Sequence, residues 1–255
     1  MYFNNVHILI YVAIAVIGFF MGKLVNWSNY RLPNYEPVFC KDIFLKDKKD
    51  YKPNLLIALI TMLIYIVLLY VIGINKTFIG NLKLIKYLIL TPMLLSAFII
   101  DFKLQIIPNR LNMTMFELGI VLMFIAGIFD PNIAIDMFLG MITGAGIFFI
   151  ITLIGGLIAG KEAMGFGDVK LMGALGIYFG LTGTIVIILM SFLIGAILSV
   201  ILLVTRIKKT SEYIPFGPFI VIGTLITIFV PYSVIINILL NIFTVGLYSK
   251  NKALY

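Results

Sequence analysis

One histidine, His7, one cysteine, Cys40, and 11 acidic residues are all that a chain of 255 residues offers to most kinds of acid-base or metal chemistry. A single cysteine excludes an intrachain disulfide. Together the two residues are too few for a zinc site of three or four His/Cys ligands, and a His-Glu-x-x-His metalloprotease needs a second histidine. A Ser-His-Asp triad placed far from the amino terminus lacks its base. Any acid, base or nucleophile is therefore expected among the carboxylates, lysines and tyrosines. Charge of either sign is also scarce, at 12% of the chain. In its place, 62% of residues come from the set AVILMFWYC, against about 45–50% in an average soluble chain. That balance excludes an ordinary water-soluble globule. With about 20 apolar residues per helical span, the expectation is an all-α polytopic membrane protein, a bundle of about eight transmembrane helices in one membrane-embedded domain, 1–255.

Apolar segments run over about 6–22, 54–74, 84–101, 113–129, 133–160, 171–180, 184–205 and 216–247, the last interrupted by Pro231. The segment 171–180 is too short to cross alone as a standard span: it is tilted, extended by its neighbours or bent at the Gly-rich turn Gly180-Leu181-Thr182-Gly183. Gly140 and Gly144 have the small-xxx-small spacing that lets helices approach closely. No Lys or Arg precedes the first apolar run and no small-x-small cleavage site follows it, so that run is read as a span rather than a removable signal.

The net charge of +8 is not read as a nucleic-acid surface. Lys23, Arg31, Lys41, Lys46, Lys48, Lys49 and Lys52 are interleaved with Glu36, Asp42, Asp47 and Asp50, whereas a phosphate-binding run would be purely basic. Basic residues beside apolar spans instead mark cytoplasmic loops. Loops at 23–53, 102–112, 161–170 and 206–215 on one side collect fourteen of the 19 Lys and Arg, while Lys76, Lys83 and Lys86 lie on the other. The first group is expected to be cytoplasmic, with a short basic loop at 23–53.

Five carboxylates touch apolar runs: Asp101, Glu117, Asp136, Glu162 and Asp168. Glu117 and Asp136 stand near the starts of their spans, where a carboxylate reaches the interface or favours a helix amino terminus. Glu162, beside Lys161, is a solvated interface charge. Asp101 ends the run from Leu94 to Ile100, and Asp168 stands in Gly165-Phe166-Gly167-Asp168-Val169-Lys170. The loop assignment brings these two to the same depth on the same side, although 67 residues separate them. An ionisable residue in a span is a functional candidate. Two adjacent carboxylates sharing a proton can hydrolyse a peptide bond without metal, Ser or Cys: one takes a proton from water, the other gives one to the carbonyl oxygen, and they titrate as a unit. Gly165 and Gly167 leave room for an extended substrate backbone, and Ile106-Ile107-Pro108-Asn109 stops the first helix. The ordinary readings are Asp168 as a helix cap and Asp101 paired with Lys103. Lys103 and Lys170, each two residues after an Asp, tune the pair, contact lipid phosphates or snorkel.

The run from Asp101 to Asn109 and the run from Gly165 to Leu171 resemble the two aspartate motifs of the type IV prepilin peptidases. Asn26 to Pro33 is similar to the segment after that family's first span, and Pro215-Phe216-Gly217-Pro218 to its stretch before the last helix. The resemblance implies Asp101 and Asp168 as the catalytic pair, with Gly165, Gly167, Lys103, Lys170, Pro108, Asn109, Pro215 and Gly217 in supporting positions. It implies removal of the short basic leader of a type IV prepilin or pseudopilin, cutting after a Gly at the cytoplasmic face of a bacterial-type plasma membrane, with no cofactor for cleavage. Many members carry two Cys-x-x-Cys pairs that bind zinc and also methylate the new terminus with S-adenosylmethionine. Here the corresponding loop holds Cys40 alone, so zinc is not expected and methylation stays open. A presenilin-like protease also carries Gly-x-Gly-Asp, but there Tyr precedes the first Asp, where this chain has Ile100, and the Pro-Ala-Leu motif is missing. A proton- or ion-coupled transporter is the reading from a different class. Its carboxylates would sit near the midplane between repeated halves, and this sequence has no repeat.

Overall fold

A computed structural model describes residues 2–3, 6–38, 51, 53–160, 164–205 and 215–243. Cys40, the lysines at 41–49, Lys161, Glu162 and the basic run 206–209 lie outside these residues.

The fold is all-α. A two-residue antiparallel pairing of β1 (Tyr2–Phe3) with β2 (Val6–His7) leads into α1 (Ile8–Arg31) and a 3-10 turn, Leu32–Asn34. Then follow α2 (Leu55–Ile72), α3 (Phe78–Leu104), α4 (Asn109–Phe129), α5 (Pro131–Ala159), α6 (Phe166–Val204), α7 (Gly217–Phe229) and α8 (Tyr232–Phe243). The helix starts carry side chains that satisfy the first N–H groups: Asn54 accepts from Leu56, Thr77 from Gly80 and Asp130 from Asn132. Pro131 stands first in α5, where its missing N–H is harmless, and Pro231 separates α7 from α8.

Six helices, α1 to α6, are long and apolar enough to cross a membrane; α7 and α8 are shorter apolar helices. Side chains such as Ile128, Leu157 and Ile158 are more than three-quarters exposed. Outward-facing apolar surface of this kind is matched to lipid, and the chain is a multi-pass membrane protein. Two boundaries differ from the apolar pattern. Helix α1 continues past residue 22 to Arg31, so the first nine residues of the expected loop 23–53 are helical. Helix α3 starts at Phe78 rather than near 84, because Lys83 is exposed and Lys86 donates to the Tyr178 carbonyl at 2.9 Å.

Residues 171–180 are not a separate crossing. They form the first part of α6, which runs on through a single non-helical residue, Gly180, with φ 68° and ψ −175°. Glycine alone adopts this backbone without strain. The break is closed from outside: the Asp136 carboxylate accepts the Leu181 N–H at 3.0 Å, and Lys86 covers the carbonyl of Tyr178. A carboxylate meets the positive start of one half-helix and an ammonium the negative end of the other. Asp136 thus caps α6, not its own helix, which Asp130 caps. Asp136→Ala should lower stability by about 1–3 kcal/mol, through loss of a cap and of the charge facing half-buried Lys86. Thermal unfolding in detergent checks this, with a smaller loss for Asp136→Asn, which keeps an acceptor oxygen. An unchanged Tm in the alanine variant would remove this role.

Gly140 and Gly176 bring the backbones of α5 and α6 into contact, since a Cβ on either would enter the other's peptide. Gly144 likewise faces the Met172 backbone. The small-residue spacing therefore serves helix packing. Helices α4 and α5 return the chain to the end where α3 finished, so the last turn of α3 and the first turn of α6 lie together.

Candidate active site

Asp101 occupies the last turn of α3, and Asp168 is the third residue of α6. Both are nearly enclosed, with 5% and 4% exposure, and the Asp101 charge acts on Asp168. The two carboxyls are thus buried within electrostatic reach of each other at one end of the bundle.

The turns around them are joined by side chains. Helix α3 ends at Gln105, which is left-handed and donates its N–H to the Asp101 carbonyl at 2.8 Å. Pro108 then precedes α4, and its carbonyl accepts from Leu111 and Asn112. Asn109, the first residue of α4, accepts a hydrogen bond from Lys170 Nζ at 2.8 Å. Asn112 Nδ2 donates to the Gly167 carbonyl at 3.1 Å. Gly167 faces Ile107, whose Cβ would stand 3.3 Å from an added Cβ. The loop after the first aspartate and the turn before the second are thereby keyed together.

Pro215-Phe216-Gly217-Pro218 starts α7 against the same site. Pro215, Gly217 and Pro218 are buried, and the Gly217 backbone lies in hydrogen-bonding range of the Asp101 carboxyl. A Cβ at Gly217 would stand 2.5 Å from Oδ2 of Asp101. That oxygen is buried and has no hydrogen-bond partner among the described residues. A helix amino terminus aimed at a carboxylate is electrostatically favourable.

Several expected roles change. Asp168 does not cap α6; it lies within its first turn, and its N–H donates to Gly165. Lys103 is exposed and forms no ion pair with the buried Asp101. Lys170 packs 5.2 Å from the Phe166 ring centre as well as reaching Asn109, so it links the turns rather than simply snorkelling. Within Asn26 to Pro33, Asn26 clasps the Asn54 backbone through both its amide atoms, and Arg31 pairs with Glu36 at 2.9 Å. Glu117 is in the third turn of α4, past the reach of its amino terminus, and lines a cavity of about 820 Å³ between α1, α3 and α4. Neither aspartate lines that cavity. Asn112 was not distinguishable in the sequence, where an Asn near a helix start reads as an interface residue.

Comparison with known proteins bears on this same segment. Residues 88–200 match the type IV leader peptidase family. The matched stretch contains Asp101, Asp168 and the turns joined to them, and it upholds the resemblance drawn from the motifs. Over 137 residues the chain is 36% identical to the prepilin leader peptidase/N-methyltransferase of Pseudomonas aeruginosa, covering 53% of this chain and 46% of that one. The protein of the same name from Aeromonas hydrophila is 30% identical over 136 residues, with the same two shares. That of Escherichia coli K12 is 30% identical over 134 residues, 52% of this chain and 58% of the relative. The chain thus spans about half the length of the curated relatives it matches. No solved structure matches it.

Proposed function

We propose that this chain is a membrane aspartic endopeptidase that removes the short basic leader of type IV prepilins or pseudopilins, cutting after a glycine at the cytoplasmic face. The observation that carries the reading is the burial of Asp101 and Asp168 at one end of the bundle, close enough for the charge of one to act on the other. In that arrangement one carboxylate takes a proton from the attacking water while the other, protonated, donates to the scissile carbonyl oxygen. The glycine at 165 keeps a side chain away from the approach to Asp168, while that at 167 lets the turn close on Ile107. A basic leader is attracted to the carboxylates and to the anionic lipid surface, while the apolar helix that follows stays in the bilayer.

The four-cysteine zinc site of many family members does not fit a chain whose one cysteine is Cys40. We propose cleavage without zinc and without methylation of the new terminus. The transporter reading would draw on the break in α6 at Gly180, but Lys86 and Asp136 already occupy both of its ends.

Co-expression with a prepilin in a host lacking its own peptidase tests the proposal. The expected product is a pilin shortened by its leader, whose first residue has an unmodified mass. A full-length prepilin would refute the peptidase, and a methylated first residue would refute only the second part.

A further inference from the structure

Asn112 is 2% exposed and lies one turn into α4, following the bend at Pro108. Its Nδ2 donates to the carbonyl of Gly167, the residue before Asp168, and its Oδ1 is buried with no hydrogen-bond partner. These two facts separate stability from positioning. A carbonyl in the first turn of a helix already accepts the N–H four residues further on, so Gly167 does not need Asn112 to be satisfied. An amide buried with its acceptor unpaired forfeits solvation that a leucine of similar volume would never have had. What the amide adds is direction. It ties α4, which follows the Asp101 loop, to the peptide that carries Asp168, across 55 residues of chain. Ile107 beneath Gly167 sets how near the two turns come, and Lys170 on Asn109 adds a second tie one turn away.

We propose that Asn112 is a positioning residue for the aspartate pair, holding the Gly167–Asp168 peptide in the orientation that turns Asp168 toward Asp101. This rests on the peptidase reading. The residue is buried and acts through Asp168, and a displacement of about 1 Å in a catalytic group is enough to reduce turnover by about 100-fold.

The experiment uses the full chain in detergent with a prepilin substrate, and follows Tm, kcat and KM for Asn112→Leu and Asn112→Ala. Leucine fills the site without the tie; alanine empties it. Asn112→Leu should have a Tm equal to or above the original, a kcat lower by about 30- to 100-fold, and a KM within about twofold. Asn112→Ala should lose a similar factor in kcat whatever its Tm. A kcat within about threefold in either variant overturns the proposal, as does a loss that appears in KM rather than kcat. If the unaltered chain fails to cleave, or Asp168→Asn cleaves as well as it does, the peptidase reading itself falls.

Discussion

Asp101→Asn and Asp168→Asn are each expected to abolish cleavage of a co-expressed prepilin while leaving an inserted, folded protein. Each substitution is nearly isosteric and replaces one oxygen with a group that does not exchange a proton in the working range. The loss of one positioned acid or base is worth about 10²–10⁴ in rate, and the effect should reach the upper end here, because in the proposed mechanism each carboxyl serves the other as proton partner. A neutral amide is easier to bury than a carboxylate, so neither variant is expected to lower Tm substantially. Glu117→Gln provides the contrast. Glu117 lines the cavity between α1, α3 and α4 rather than the aspartate site, and this variant should retain most activity. Immunoblotting of precursor and mature pilin, with membrane levels of each variant measured in parallel, checks all three. Normal processing by either aspartate variant would remove the aspartic mechanism, and a comparable loss in Glu117→Gln would give that carboxylate a part in the reaction.

The aspartates were legible in the sequence because a carboxylate within or beside an apolar run stands out against its surroundings, and two intervening spans fix which end it reaches. The α7 start was legible only as a motif: nothing in Pro215-Phe216-Gly217-Pro218 says that its glycine rests on a carboxyl more than a hundred residues earlier. The capping of α6 by Asp136 was hidden for the same reason, since the carboxylate comes from a different helix, 45 residues away. Gly180 was legible as a place where the helix could bend, but whether the chain turns or continues there depends on partners that cap the break, and those are tertiary. Asn112 looked ordinary because burial, not identity, makes it unusual. A local signal such as Pro231 inside an apolar run placed an element boundary well because its cause lies within a few residues of the boundary itself.

Gly217→Val is expected to be nearly as damaging as loss of an aspartate, for a reason that a milder substitution and two other glycines can isolate. A Cβ at 217 would meet Oδ2 of Asp101 at 2.5 Å, its Cγ at 3.0 Å and Cδ1 of Ile107 at 3.2 Å. The carboxyl ends a short, buried side chain in the last turn of α3, so it has little freedom to withdraw, and the start of α7 is held by Pro218 and by the N–H groups of Phe219 and Ile220 on the Phe216 carbonyl. Either the carboxyl turns away from Asp168 or the helix start shifts off it; both spoil the pair. Gly217→Ala should lower kcat by about 100-fold and stability by about 1–3 kcal/mol, the usual penalty for overpacking; valine, with two further methyl groups, should abolish cleavage. Gly167→Ala should cost less, because its Cβ meets Ile107 at 3.3 Å and a shift of a few tenths of an ångström relieves it. Gly146→Ala has open space around the added carbon and should process prepilin normally. The graded order Gly217, Gly167, Gly146 in kcat, measured at matched expression, is what distinguishes crowding of the aspartate from a general intolerance of added bulk in the bundle. Equal activity in Gly217→Ala and Gly146→Ala would mean that α7 does not bear on the catalytic carboxyl.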